Sequence, residues 1–359
     1  MAVISLFAKI ERIIYQPYLC KELKIYPVEN LGLALSQDAS FILKLKNQND
    51  IAISWWVSAK RTRSYPYARV YDTLAFSGKK VAIIPIMKDE GKDGDRDFLQ
   101  WDTVSLMSLF GIYTIIAYYK TAEISKYYRN KITNQKFDLE YVLRELERLL
   151  SYQSDVLHWN IDQVTKASDV LNAALEAYKE ISSSLNVEMH SFEQVTSRIK
   201  GFYRQTDEFL KTSRSLSKQA QIREVTTRQP KEKIQGEKAS ITIKNYLGGN
   251  YHFTCDEIAF KNDNIFLIEA KHSANNVLPS LSDIKDGLIK MILFTNLKYV
   301  EYGGEINKPV AVLKLTNNLG PLSLKNNKTQ KEMLILLKKE MIDNHFIITI
   351  NGNLLTDLV

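Results

Sequence analysis

Two carboxylates and an amine stand close together in CDEIAFKNDNIFLIEAKHS, the stretch from Cys255 to Ser273. Asp256 lies at the edge of one expected strand. After the turn KNDN, an apolar strand, IFLI, ends in Glu269, Ala270 and Lys271. The two-residue period of a strand puts Glu269 and Lys271 on one face, and a hairpin through the turn brings Asp256 beside them. Two acids and an amine at the end of an otherwise apolar strand are costly unless something uses them. A divalent cation bound by the two acids meets that demand, and hard carboxylate oxygens suit Mg²⁺. Lys271 would then orient, or help deprotonate, a water that attacks a phosphodiester.

At these residues the chain resembles the PD-(D/E)xK nuclease superfamily, and within it the type II restriction endonucleases. Asp256 matches the first acid, and Glu269 and Lys271 match the ExK half. Thirteen positions separate Asp256 from Glu269, a separation the superfamily tolerates. Cys255 stands where the motif has its nominal Pro. The family often carries a Glu on a helix before the first strand, and Glu237 in QGEKAS is the matching position. The resemblance covers roughly Glu237 to Thr316. It implies Mg²⁺-dependent cleavage of double-stranded DNA to 5′-phosphate and 3′-hydroxyl ends. Asp256, Glu269, Lys271 and Glu237 would be catalytic, and Asp256 and Glu269 would hold the metal. Cutting both strands of a short symmetric site is most simply served by a homodimer. A cognate DNA methyltransferase acting on the same site is the further partner the resemblance implies. A bland reading stands beside it: an exposed hairpin in which Glu269 pairs with Lys271 or Lys261.

Other charged stretches surround this motif. Lys285, Lys290 and Lys298 fall near the following helix and could touch phosphates, although a solvated helix face is expected for each. His272 is expected to be an exposed strand-end residue. In KRTRSYPYARVY, Lys60, Arg61, Arg63 and Arg69 alternate with Tyr65, Tyr67 and Tyr71. Guanidinium groups pair with phosphates or read guanine edges, and Tyr stacks or donates to phosphate. Lys60, Arg61, Arg63, Tyr65 and Arg69 are therefore the candidate DNA contacts; an ordinary basic loop is the alternative. RVYDTLAFSGKKVAIIPIMK, from Arg69, can be laid on the nuclease hairpin with Asp72 over Asp256 and Lys88 over Lys271, which raises a degenerate repeat against coincidence. The acidic run Asp89, Glu90, Asp93, Asp95 and Asp97 lacks the distal bidentate Glu of an EF-hand, so a solvated loop is expected. Walker, GxGxxG, HExxH and GxSxG motifs are missing from the sequence.

The elements that must position these residues follow from pattern. The chain has 359 residues, 45% of them apolar, enough for two or three domains and incompatible with wholesale disorder. Two Cys and five scattered His give neither a disulfide framework nor a zinc site, and a reduced, cytoplasmic setting is expected. The net charge of +7 is compatible with a polyanion partner without demanding one. The opening MAVISLFAKIERI breaks its apolar run with charges, so a secretion leader is not expected. The charge-free run from Thr103 to Tyr119 is shorter than the ~20 residues of a membrane span. It reads as a buried helix, capped by Asp97 or Asp102 and ended by Gly111, and then a core strand.

The fold class expected is α/β: a mixed sheet flanked by helices in a restriction-endonuclease-like C-terminal domain, an N-terminal α/β domain and a central all-α region. Residues 1–133 form the N-terminal domain, with strands at FILKLK, IAISWWVSA and KVAIIPIM and a role in DNA recognition. Residues 137–217 form a helical spacer or dimerisation region, with apolar residues at helical spacing such as Val142, Leu146 and Leu149. Ile181 ends one helix there, and Val195, Ile199, Phe202 and Phe209 continue the rhythm. Residues 218–234 are a basic connector, and residues 235–359 the nuclease domain. The latter carries a helix or turn at QGEKAS, strands through ITIKNYL, Asp256, IFLIEAK, PVAVLKLT and FIITI, and helices over SDIKDGLIKMILFTNL and KTQKEMLILLKKEMI. Two other functions fit the same features: a non-catalytic DNA-binding or assembly protein, and a repair nuclease of the same superfamily.

Overall fold

A computed structural model describes residues 4–45, 50–58, 64–192, 237–245, 250–320 and 328–358. The chain begins β1 (Ile4–Ile10), β2 (Ile25–Pro27), α1 (Leu31–Gln37), β3 (Ser40–Lys44), β4 (Ile51–Trp55) and α2 (Ser64–Tyr71). It continues β5 (Lys79–Pro85), β6 (Met87–Asp89), β7 (Arg96–Phe98), α3 (Trp101–Leu109), β8 (Ile112–Ala117), β9 (Tyr119–Ile124) and β10 (Ile132–Phe137). Three helices follow, α4 (Leu139–Ser151), α5 (Val156–Thr165) and α6 (Ala167–Leu185). The last third holds β11 (Glu237–Asn245), β12 (Asn250–Lys261), β13 (Asn264–Ser273), α7 (Leu281–Thr295), β14 (Leu297–Tyr302), β15 (Glu305–Asn317), α8 (Lys328–Asp343), β16 (Ile347–Ile350) and β17 (Asn353–Leu354). The protein is mixed α/β, with a parallel-rich N-terminal sheet, a helical middle and a C-terminal eight-stranded mixed sheet with helices. Among the described residues, no helix is long and apolar enough to cross a membrane.

Contacts divide the chain into two units. One takes Met1–Glu22, Thr62–Ala75 and Lys218–Val359; the other takes Leu23–Arg61 and Phe76–Ser217. The first region of the sequence is thus shared between both.

In the second unit, five strands run in the order β2-β3-β4-β5-β8, and β4, β5 and β8 are parallel. Apolar runs such as VAIIP and IYTIIA suit strands buried on both faces. Phe41, Ile53, Val81, Ile83 and Ile115 from the sheet pack with Val142, Leu146 and Leu149 of α4 and Trp159 of α5 in one core. β8 is the last strand of this sheet, so one row of its backbone groups lacks a strand partner. Side chains of α5 supply the partners. Asn160 accepts the Thr114 N–H at 2.6 Å and donates to the Ile112 carbonyl at 3.0 Å. The Trp159 indole donates to the Thr114 carbonyl, and Gln163 accepts the Ile116 N–H.

In the first unit, the strand order is β13-β12-β11-β1-β14-β15-β16-β17, and β13 also pairs with β15. Six strands therefore close on themselves, which removes free edges from them. β1 lies parallel to β11 and antiparallel to β14, with Leu6, Ala8 and Ile10 buried at period two. β13 and β15 are parallel, and α7 and β14 lie between them in sequence. A parallel pair requires such a crossover.

Several local expectations change. Glu237 begins strand β11 opposite Ile258, so QGEKAS does not supply a helix at that position. α6 runs past Ile181 to Leu185 and stops at Asn186, whose φ of 50° is left-handed. The N-cap of α3 is Gln100, with no side-chain cap hydrogen bond, and Asp97 binds Ser58 instead; the side chain of Asp102 lies outside the described residues, and Gly111 follows the helix end with φ +69°. Arg69 to Tyr71 is helical, whereas its proposed counterpart near Asp256 is strand, so the internal echo is not a repeated hairpin. β1, β14 and the β9–β10 hairpin add strands to those expected, and in β1 the period-two Leu6, Ala8 and Ile10 are the signal in the sequence. The residues Val195, Ile199, Phe202 and Phe209 and the basic connector 218–234 lie outside the described residues.

Asn160→Ala should destabilise the second unit by about 2–4 kcal/mol, because it strands the buried Thr114 N–H and Ile112 carbonyl at β8. Urea unfolding of the variant against the parent chain, followed by tryptophan fluorescence, measures this.

Candidate active site

The β12–β13 hairpin is paired from Lys261↔Asn264 to Glu257↔Ile268. Asp256 and Glu269 occupy the next step. There the Asp256 carboxylate, in place of a backbone carbonyl, accepts the Ala270 N–H at 2.9 Å. The other edge of β13 stays paired, with Glu269 opposite Leu313 and Lys271 opposite Leu315. The hairpin thus opens beside the acids on one edge while β15 holds the strand rigid on the other.

Glu269 is 1% exposed, and both of its oxygens are ion-paired. Oε1 is 2.9 Å from the Lys271 ammonium and Oε2 is 2.7 Å from that of Lys290. Lys290 also donates to the Thr254 carbonyl at 3.2 Å. Lys271 makes a second, short ion pair with Asp286. α7 brings Lys290 and Asp286 to the site. Ser280 caps that helix by accepting the Asp283 N–H at 3.1 Å. Gly287 lets it lie close on the sheet, since a Cβ there would stand 2.6 Å from Leu313 Cδ1 and 3.6 Å from Lys271 Cε.

Charge sets the protonation of the cluster. Burial first, and then the Glu269 charge, push Asp256 up to about 7. Burial would raise Glu269 as well, but Lys271 and Lys290 overcome it and hold that carboxyl at about 2. Burial works against the Lys271 ammonium, yet Asp286 and Glu269 raise it well above the ordinary lysine range. Three acids, Asp256, Glu269 and Asp286, face two lysines, Lys271 and Lys290. With Asp256 ionised, the cluster carries one negative charge in excess, which a bound cation would relieve. The hard donors here are carboxylate oxygens of Asp256 and of Glu269, which would have to give up a lysine contact to reach a cation. They fit Mg²⁺, which binds through one or two carboxylates and fills its remaining positions with waters and substrate phosphates. Among the described residues, no group of three or more His, Cys, Asp or Glu side chains forms a fuller metal cage.

Asp256, Glu269 and Lys271 therefore meet, and Lys261 stays exposed and apart from the Glu269 ion pairs. The side chain of Glu237 lies outside the described residues. Lys285 and Lys290 do not form a solvated helix face. Lys285 is buried against Asp72 and Lys290 is bound to Glu269, whereas Lys298 is exposed and pairs with Glu11. α7 is apolar on nearly every side, so its charges need buried partners. Three charges, Lys285, Asp286 and Lys290, inside the otherwise apolar IKDGLIKMILF were the signal for Asp286 and Lys290. His272 is half-buried and bonds to the Thr316 hydroxyl at 2.9 Å.

The other candidate stretches come out differently. Lys60, Arg61 and Arg63 lie outside the described residues, as does the side chain of Tyr65. From Ser64 the stretch is not a loop but helix α2, with Pro66 in its first turn. Tyr67 and Tyr71 are core residues, and Arg69 is half-buried. The acidic run is a solvated loop only in part: Asp93 and Asp95 are exposed, while Asp89 and Asp97 are buried and Glu90 is half-buried. Asp89 is fully buried and accepts from the Gly91 N–H at 2.9 Å, with His190 at 2.8 Å. Asp97 is buried against the Ser58 hydroxyl, and Glu90 pairs with Lys88 and Lys131.

The raised Asp256 makes a testable mark on stability. Unfolded, this carboxyl ionises near 3.8; folded and free of metal, at about 7. Between those values the folded chain keeps a proton that the unfolded chain has lost. Its contribution to stability is therefore greatest below about pH 4 and declines as pH rises to 7. In chelator, urea unfolding at pH 5 and pH 8 should show a larger loss for the parent chain than for Asp256→Asn, which cannot titrate there.

Compared with models of protein families, with curated proteins and with solved structures, the chain matches none, so its function is inferred from this geometry.

Proposed function

We propose that this protein is a Mg²⁺-dependent, site-specific endonuclease for double-stranded DNA, of the type II restriction class. One observation carries the reading: Asp256, Glu269 and Lys271 converge where the β12–β13 hairpin opens, in a buried cluster of three acids and two lysines. Asp256 and Glu269 would hold the metal. When bound, Mg²⁺ supplies Lewis acidity toward the scissile phosphate and its attacking water. The Lys271 amine, kept as an ammonium by Asp286 and Glu269, donates hydrogen bonds. It is suited to orient the water and to stabilise charge developing on the phosphate, rather than to remove a proton. Lys290 shares Glu269 and fixes that carboxylate against rotation. The modest basic charge of the chain favours a nucleic acid partner, and symmetric double-strand cutting favours a homodimer. A cognate DNA methyltransferase would protect the same site.

A second reading, a non-catalytic DNA-binding or assembly protein, draws on the ion pairing of both Glu269 oxygens within the protein. A repair nuclease of the same superfamily would use the same residues on other DNA structures. Plasmid and linear duplex digests with Mg²⁺, and with EDTA, separate the three. Discrete fragments in Mg²⁺ alone are expected. Glu269→Gln and Lys271→Met should each lower cleavage by about 100-fold or more while leaving DNA binding by mobility shift intact. Cutting that survives both substitutions, or a parent chain that never cuts in Mg²⁺, overturns the nuclease assignment.

A further inference from the structure

Lys285 and Asp286 are sequence neighbours on α7, and each is buried against a different partner. Asp286 holds the Lys271 ammonium. Lys285, 4% exposed, pairs with Asp72, the residue that follows α2. Asp72 is itself fixed by the Lys21 N–H at 3.1 Å. Its neighbour Tyr71 is anchored more firmly still. The Tyr71 hydroxyl lies 2.7 Å from each oxygen of Glu340 on α8 and takes the Leu19 N–H at 3.2 Å. Three buried polar contacts, linked through the chain neighbours Tyr71–Asp72 and Lys285–Asp286, thus lead from α8 through the end of α2 and across α7 to Lys271. α2 reaches this unit from a stretch whose flanks, Leu23–Arg61 and Phe76–Ser217, belong to the other one.

An apolar contact would hold α2 against α7 at no desolvation cost, because burial is non-directional. A buried ion pair adds little net stability over such a contact. What it adds is direction. The other buried side chains of α7 are mostly apolar, such as Ile284, Leu288 and Met291, and apart from Lys290 on Glu269 they tolerate small slides along the helix. A fixed partner for Lys285 does not. Gly287, one residue beyond Asp286, brings the helix within contact of the Lys271 stem, so a slide of α7 moves Asp286 and the lysine stem together.

We propose that the Asp72–Lys285 pair is a positioning element of the active site, setting the place of α7 so that Asp286 holds the Lys271 ammonium over Glu269. The proposal rests on the cleavage reading above for its effect on catalysis, but not for its effect on Lys271. It predicts that both halves of the pair act through Asp286.

The experiment compares the parent chain with Asp72→Asn, Asp286→Asn and their double variant. Asp72→Asn combined with Lys285→Met guards against misfolding, since it removes both charges and leaves neither buried alone. Single-turnover cleavage in Mg²⁺ should fall by about tenfold or more in Asp72→Asn, with DNA affinity unchanged. Asp72→Asn with Asp286→Asn should cut no more slowly than Asp286→Asn alone, and Asp72→Glu should regain most of the rate. A purely structural pair would lower the melting temperature and leave the rate of the folded fraction alone, and its effect would add to that of Asp286→Asn; either result overturns the proposal. The second readout is the ¹H–¹⁵N signal of the Lys271 ammonium, assigned with Lys271→Met and recorded without DNA. It should shift in Asp72→Asn, or in the two-charge variant, in the direction seen for Asp286→Asn. An unmoved Lys271 signal in a folded variant overturns the positioning role whether or not the chain cuts DNA. Loss of cleavage in the parent chain with a shifted signal overturns the nuclease reading instead.

Discussion

The Glu269 carboxylate, buried between the Lys271 and Lys290 ammonium groups, is the interaction around which the first unit is arranged. A carboxylate at that depth is tolerable only with partners of opposite charge and good geometry. Those partners come from different elements, Lys271 from the same strand and Lys290 from α7, so strand and helix must dock in one register. Asp256 lies beside this arrangement, and burial first and the Glu269 charge second raise its carboxyl to about 7, against the pull of Lys290 and Lys271. Under the proposed function, the burial that makes Asp256 reluctant to ionise is what a bound divalent cation would offset.

The closed set of six strands explains how so much charge is held in place. β13 is paired on both sides where it starts, but at Asp256 only the β15 side continues through the backbone ladder. The Asp256 side chain replaces the missing backbone acceptor by taking the Ala270 N–H. One residue thus ends the pairing of two strands and faces the cluster. The second unit solves its own edge in a comparable way. Trp159, Asn160 and Gln163 of α5 satisfy the outer row of β8 with side chains instead of another strand. In both units, polar side chains stand where a regular sheet would have gone on.

Local pattern carried much of this to the surface of the sequence. IFLI ahead of Glu269, the apolar run through α7 and the helical rhythm of Val142, Leu146 and Leu149 each follow from periodicity alone. The misreadings share a cause. Lys290 and Lys285 look like solvated helix charges until their partners, Glu269 and Asp72, are brought up to them. Asp89 and Asp97 look like a loose acidic loop until Gly91, His190 and Ser58 close on them. Tyr67 and Tyr71 look available to bases in an alternating basic stretch, but α2 turns them into the core.

The amino-acid sequence by itself determined many of the short segments that become strands and helices, such as IFLI and the rhythm of α4, and that two acids and a lysine stand within one hairpin, because propensity, periodicity and turn spacing act over a few residues. Only the tertiary structure decided that β1 and α2, hundreds of positions before the site in sequence, share its unit. It also decided that Lys290 and Asp286 complete the charge cluster and that α7 is anchored through Asp72. Ion pairs and strand closure join residues far apart along the chain, and their energy depends on distance and burial, which no local pattern records.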